Sequence, residues 1–169
     1  MKFDLCSTVV LICLSMTCAS ARADWESSIL PRDFDTANSL DKAVALAKQK
    51  NKAVIVYYTR TNCPPCNVLQ SRLRKEEVAA PFRDSYVFTA VWGTSMGQSE
   101  RETYRSRFGV QGAPTWLIFS QNGEYVCTSA GGFFTDEGGK KLHEAIQSRL
   151  SIAASTKETA SRRCVNGSS

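Results

Sequence analysis

The sequence predicts an α/β fold in which a mixed β-sheet is covered by helices on both faces. Segments in which apolar residues recur at helical spacing alternate with short apolar runs rich in β-branched residues. The alternation ends in a hairpin, which adds antiparallel strands to a sheet whose other strands are joined through helices. A chain of 169 residues, 43% hydrophobic and 22% charged, has the size and composition of one globular domain.

The N-terminal segment has the pattern of a secretory signal peptide. An apolar run, Leu5 to Met16, follows Lys2, and the small residues of 19–23 contain two overlapping A-x-A cleavage patterns. The run of about 12 residues is shorter than the roughly 20 that a membrane-spanning helix needs. We therefore expect cleavage, a mature chain that begins near Asp24, and no membrane span after cleavage.

The first elements of the domain follow an extended lead-in at residues 24–38. Ser39 is a suitable N-cap, and apolar residues recur at helical spacing from Leu40 to Lys50. The run Ala53 to Thr59, "AVIVYYT", is apolar and β-branched, which predicts a buried strand. A helical pattern resumes after Pro65, so a strand gives way to a helix at this point.

The rest of the domain continues the alternation and closes it with the hairpin. The predicted elements are a strand at Tyr86–Trp92, a helix opened by a capping box at Ser99–Glu102 and stopped by Gly109, strands at Thr115–Phe119 and Tyr125–Thr128, and a helix from about Glu137 to Leu150. We divide the chain into a signal peptide at 1–23, the lead-in at 24–38, one domain at 39–150 and a loosely ordered tail at 151–169.

Two cysteines separated only by prolines, Cys63 and Cys66, stand at the junction of strand and helix. A thiolate at a helix N-terminus faces unpaired N–H groups and the positive end of the helix dipole, so we expect a lowered pKa for Cys63. Pro64 and Pro65 suit the first helical turn and stiffen the active-site loop. Arg60 adds positive charge nearby. This pattern favours thiol-disulfide exchange.

Two other interpretations of the cysteine pair have less support. A zinc site usually needs four ligands, but the only histidine, His143, lies in the last helix and the other cysteines are isolated. A purely structural disulfide would close a very short loop and remove little chain entropy. His143 is interpreted as a residue of the helix surface.

Two further cysteines, Cys127 and Cys164, remain after removal of the signal peptide. Cys127 falls in the second strand of the hairpin and Cys164 in the tail. A disulfide between them would staple the tail to the sheet, in keeping with an oxidising compartment. The alternative is a buried Cys127 thiol with Cys164 free or bonded to another chain.

The sequence resembles the thioredoxin superfamily from about Ser39 to Leu150. The resemblance is carried by the CPPC motif after "AVIVYYT" and, about 45 residues later, by "GVQGAPTWLIFSQNGE". It implies a thioredoxin-like three-layer α/β/α sandwich, with Cys63 as the nucleophile and Cys66 as the resolving thiol. It also implies a cis Pro114 beside them and a substrate-binding backbone at Ala113. No metal, nucleotide or flavin cofactor is implied.

Two positions depart from the pattern of thioredoxins. Tyr57 stands where a buried acid is common, and Asn62 stands where a tryptophan usually precedes the first cysteine. We interpret Tyr57 as a core aromatic residue. The predicted export and the stretch "VWGTSMGQSERETYRSRFGVQGAPTWLIF" are more similar to bacterial periplasmic thioredoxin-like proteins, such as the C-terminal domain of DsbD and the SoxW type.

This likeness and the charge pattern set the expected partners and location. We expect a periplasmic monomer that acts on protein thiols and disulfides, in the reducing or electron-relaying direction, and draws electrons from a separate redox partner. The formal net charge is +5, but the positive residues are scattered, which argues against nucleic-acid binding. The alternatives are a disulfide oxidase or isomerase, and a non-enzymatic binding module with the same fold.

Overall fold

The structure is a computed structural model that describes residues 29–131, 135–155 and 164. The predicted signal peptide and the rest of the tail lie outside these residues. None of the described helices is long and apolar enough to cross a membrane.

The centre of the domain is a five-stranded mixed sheet with the order β1-β3-β2-β4-β5. Its strands are β1 (Asp35–Thr36), β2 (Ala53–Thr59), β3 (Tyr86–Trp92), β4 (Thr115–Phe119) and β5 (Tyr125–Ala130). The first three strands pair in parallel, whereas β4 pairs antiparallel with both β2 and β5. The predicted mixed sheet is therefore confirmed.

Within the described residues, five helices of nine residues or more cover the two faces of this sheet. They are α1 (Leu40–Lys50), α2 (Pro64–Arg72), α3 (Glu76–Ser85), α4 (Gln98–Phe108) and α5 (Asp136–Ser155). Side chains alternate across β2, so that Ile55 and Tyr57 join one core cluster while Val54, Val56 and Tyr58 join the other. The first cluster includes residues of α2, α3 and α5, and the second includes residues of α1 and α4. The α/β class with helices on both faces is confirmed.

The helix ends are set by local capping, as the sequence predicted at two of them. Ser39 caps α1, since its hydroxyl oxygen accepts a hydrogen bond from the Lys42 N–H at 3.3 Å. Gly109 ends α4 in the left-handed conformation, with φ of 69°. The predicted capping box at Ser99–Glu102 is wrong, because the N-cap of α4 is Gly97, two residues before Ser99, and the helix begins at Gln98.

The structure differs from the sequence prediction in three further places. The lead-in contributes the two-residue strand β1, which is too short to show a periodic pattern. The helix after Pro65 is two helices, because the chain turns after Leu73 and starts α3 at Glu76. The last helix runs to Ser155, five residues beyond the predicted end.

Candidate redox site

The predicted cysteine pair forms a disulfide at the start of α2. The Sγ atoms of Cys63 and Cys66 are 2.05 Å apart and the Cα atoms 5.2 Å apart. Cys63 is the N-cap residue of α2, with extended backbone, and Cys66 lies in the first turn. Both residues are buried, at 3% and 1% exposure.

The start of α2 is arranged to stabilise negative charge on Cys63. The Cys66 N–H donates to the Cys63 sulfur, with a nitrogen to sulfur distance of 3.3 Å. Pro64 and Pro65 occupy the first helical positions, where a missing N–H leaves no bond unmade. No acidic residue lies in this first turn, so the positive end of the helix dipole is not neutralised from within α2.

The loop before β4 faces the disulfide. The carbonyl oxygen of Ala113 lies 3.7 Å from the Cys63 sulfur, a contact across which a reduced thiol could donate a weak hydrogen bond. The Ala113-Pro114 peptide bond is cis. The Gly131 N–H donates to the Pro114 carbonyl at 2.9 Å, so the end of β5 is tied to this loop. The structure therefore brings Ala113 and Pro114 to the cysteine pair.

Trp92, which the sequence prediction treated only as part of a strand, packs against the same core cluster as the cysteine pair. It ends β3, directly opposite Thr59 of β2. Trp92 is half-buried and packs against the core cluster that contains both Cys63 and Cys66. The sequence shows that side chains alternate along β3. It does not show which residues of β2 lie beside Trp92, because that depends on the register between the two strands.

Tyr57 lies in the same core cluster as the cysteine pair. It is 1% exposed, and its ring meets Trp116 edge-on with 6.5 Å between the ring centroids. The interpretation of Tyr57 as a core aromatic residue is confirmed. Burial raises the pKa of its phenol, and this effect is larger than the opposing effect of the nearby Thr59 and Gln70 side chains.

The other two cysteines form a second disulfide, which attaches the tail to the sheet. Cys127 in β5 is bonded to Cys164, and both are buried, at 0% and 4% exposure. The Cys164 N–H also donates to the carbonyl of Thr128 at 2.9 Å. Cys164 thus occupies the outer edge of β5.

His143 is not on the free surface of its helix. Its ring is half-buried and packs edge-on against Phe82 and Tyr86, with centroid distances of 5.6 and 5.8 Å. The interpretation as a surface residue was wrong, because α5 turns this position toward α3. No group of three or more His, Cys, Asp or Glu side chains suited to a metal ion occurs within the described ranges.

Comparison with known proteins agrees with the fold and the placement of the site. A sequence profile of the thioredoxin-like domain matches residues 40–147. The chain belongs to this family. The matched segment contains the whole cysteine motif, the loop at Ala113 and most of α5.

Individual relatives share this domain at low to moderate identity. Over 87 residues the chain is 31% identical to thioredoxin H4 of Arabidopsis thaliana, a match that covers 52% of this chain and 63% of that protein. The chain thus spans less than two thirds of the length of this curated relative.

Solved structures show the same architecture. A thioredoxin from Thermus thermophilus is similar with a TM-score of 0.59 and 19% identity, covering 72% of this chain and 93% of that one. A disulphide isomerase from Xylella fastidiosa Temecula1 is similar with a TM-score of 0.52 and 18% identity, covering 79% and 98%. These likenesses confirm the thioredoxin-like three-layer sandwich.

Proposed function

We propose that this protein is an exported thiol-disulfide oxidoreductase that reduces, or relays electrons to, protein disulfides. The observation that carries the proposal is the Cys63–Cys66 disulfide at the N-terminus of α2, against the carbonyl of Ala113. Membership of the thioredoxin-like family supports it. The pattern of residues 1–23 supports export, and the likeness to periplasmic proteins supports a bacterial periplasm.

The proposed reaction is a pair of exchange steps. In the reduced protein, the Cys63 thiolate attacks one sulfur of a partner disulfide, and the other partner sulfur leaves with the electron pair and gains a proton. Cys66 then loses its proton to solvent and attacks Cys63, which closes the Cys63–Cys66 bond and releases the second partner thiol. The partner gains two electrons and the cysteine pair loses two.

The first test is turnover of a protein disulfide with a thiol reductant as electron donor. The Cys63→Ser variant should lose turnover, because the attacking sulfur is gone. The Cys66→Ser variant should accumulate a mixed disulfide with the substrate, visible as a reductant-sensitive band. If both variants keep wild-type turnover, or if the wild type shows none, the cysteine pair is not a redox catalyst.

The direction of electron flow is tested by the reduction potential of the pair. Equilibration with glutathione buffers, followed by thiol labelling, should give a value near the roughly −270 mV of thioredoxin if the protein is a reductant. A value near the roughly −120 mV of DsbA would instead make it an oxidant.

Export is tested separately. The full chain should be expressed in a bacterium and the protein recovered by osmotic shock. N-terminal sequencing should then begin near Asp24, whereas an intact Met1 in the cytoplasmic fraction would refute export.

A further inference from the structure

The hydroxyl of Tyr57 is a polar group buried in the core without an evident structural role. Its oxygen is inaccessible to solvent, and it makes no well-formed hydrogen bond among the described residues, although the side chains of Thr59 and Gln70 lie close to it. Buried polar groups are nearly always bonded, because an unbonded one has lost its water without replacement. Phenylalanine would fill the same space without this penalty, so the hydroxyl calls for an explanation other than packing.

The hydroxyl lies beside the helix that carries Cys66. Tyr57 belongs to the same core cluster as Cys66, and its hydroxyl is close enough to Thr59 and Gln70 for both to influence it. Gln70 follows Cys66 by four residues in α2, and residues with this spacing are neighbours on one helix face. The Tyr57 hydroxyl therefore lies beside the helix face that carries Cys66.

The chemistry at Cys66 changes when the disulfide opens. In the oxidised protein the Cys66 sulfur is neutral and needs no donor. In the proposed resolving step it must become a thiolate, although Cys66 is only 1% exposed. Burial disfavours a thiolate, and a hydrogen bond donated to it offsets that effect.

Within the part of the chain that the structure describes, the other titratable side chains near this core are engaged elsewhere or exposed. The Tyr86 hydroxyl accepts a hydrogen bond from Gln147 at 2.9 Å and lies against His143 of α5, at 3.4 Å. Arg72, at the end of α2, and Lys75, just after it, form ion pairs with Asp136 of α5. Arg60, ahead of the motif, is exposed. On β3 and β4 the residues paired with Tyr57 are Ala90 and Trp116, which do not titrate.

We propose that the Tyr57 hydroxyl donates a hydrogen bond to the Cys66 sulfur as it becomes a thiolate, and that it thereby speeds the resolving step. This inference rests on the proposed function. Because burial raises the pKa of the phenol, Tyr57 stays protonated at neutral pH and acts as a donor, not as the base. The proton that leaves Cys66 passes to solvent.

The test separates the two exchange steps with dithiobis-nitrobenzoate and the reduced protein. Cys63 attacks the probe, the probe S–S bond breaks, and one coloured nitrothiobenzoate leaves with the electron pair. Cys66 then attacks Cys63, the Cys63–Cys66 bond forms, and a second nitrothiobenzoate leaves. The two cysteines lose two electrons and the probe gains two, so the second release reports the resolving step alone.

The Tyr57→Phe variant should show a second release that is slower by about tenfold, the effect expected for loss of one hydrogen bond to a charged group. Its rate should also rise with pH at a higher midpoint, while the first release is unchanged. The variant should be at least as stable as the wild type toward urea, because it lacks the unbonded hydroxyl. A merely structural role would not produce this combination.

The matched control is Tyr58→Phe, which removes a hydroxyl from the adjacent residue on the opposite sheet face. It should leave the second release unchanged. A second release in Tyr57→Phe with the rate and pH profile of the wild type would overturn the inference, as would equal slowing in Tyr58→Phe. If the wild type gives no second release, the proposed function itself fails.

Discussion

The disulfide between Cys127 and Cys164 should account for a large share of the stability of this domain. The two residues are 37 positions apart, so the bond closes a long loop in the unfolded chain. For a loop of that length the chain-entropy relation gives a stabilisation of about 4 kcal/mol. Domains of this size have total stabilities of roughly 5–15 kcal/mol, so loss of the bond should be plain in any unfolding experiment.

The assay compares oxidised and reduced forms of one protein, so that only the bond differs. The Cys63→Ala/Cys66→Ala variant keeps only the Cys127–Cys164 disulfide. Its reduced form is prepared by unfolding the protein in urea, adding reductant, and refolding it with the reductant present. With a urea dependence of about 1.5 kcal/mol per molar, the reduced form should unfold at a midpoint about 2.5 M lower.

The complementary variant, Cys127→Ala/Cys164→Ala, supplies the control. Its remaining bond joins residues only three apart, and reduction should change its stability far less. The reasoning is refuted if the oxidised and reduced forms of Cys63→Ala/Cys66→Ala have urea midpoints that agree within about 0.5 M. The Cys127–Cys164 bond would then contribute little to stability.

Three further predictions concern packing and charge. Leu69→Ala should lower the free energy of unfolding by about 3 kcal/mol in urea titrations, because Leu69 is fully buried in α2. Gly93→Ala should cost about 1–3 kcal/mol, because a Cβ there would collide with the Tyr58 ring, whereas Gly112→Ala has open space and should be nearly neutral. Burial lowers the pKa of His143 in the folded protein. As pH falls, His143 is therefore protonated at a higher pH in the unfolded chain than in the folded one, which favours unfolding. The wild type should therefore lose stability below about pH 6.5 relative to His143→Phe, and parallel curves would contradict this.

The sequence predicted best those elements whose signal is local. The apolar runs of β2 and β3 and the prolines after Cys63 each specify a strand or a helix start within a few residues. The left-handed cap at Gly109 is equally local. The placement of the cysteine pair at a helix N-terminus followed from these patterns alone.

Features that depend on tertiary packing were predicted less well. The pairing of Cys127 with Cys164 stayed open because no local pattern links residues 37 positions apart. The location of His143 depends on how α5 lies against α3, and helical spacing does not reveal which neighbour covers a given face. Trp92 was predicted only as a strand residue, because the core cluster against which it packs follows from its register opposite Thr59.

The hydrogen bond from the Cys164 N–H to Thr128 has a consequence for solubility. A β-sheet has two edges, and an open edge can recruit a strand from another molecule. Here one edge is the two-residue strand β1, which is too short to serve as a template. The other edge is β5, where a residue of the same chain, fixed by a covalent bond, already occupies one of the pairing positions. Reduction of that bond would free this position, and we expect the reduced protein to be more prone to edge-to-edge association.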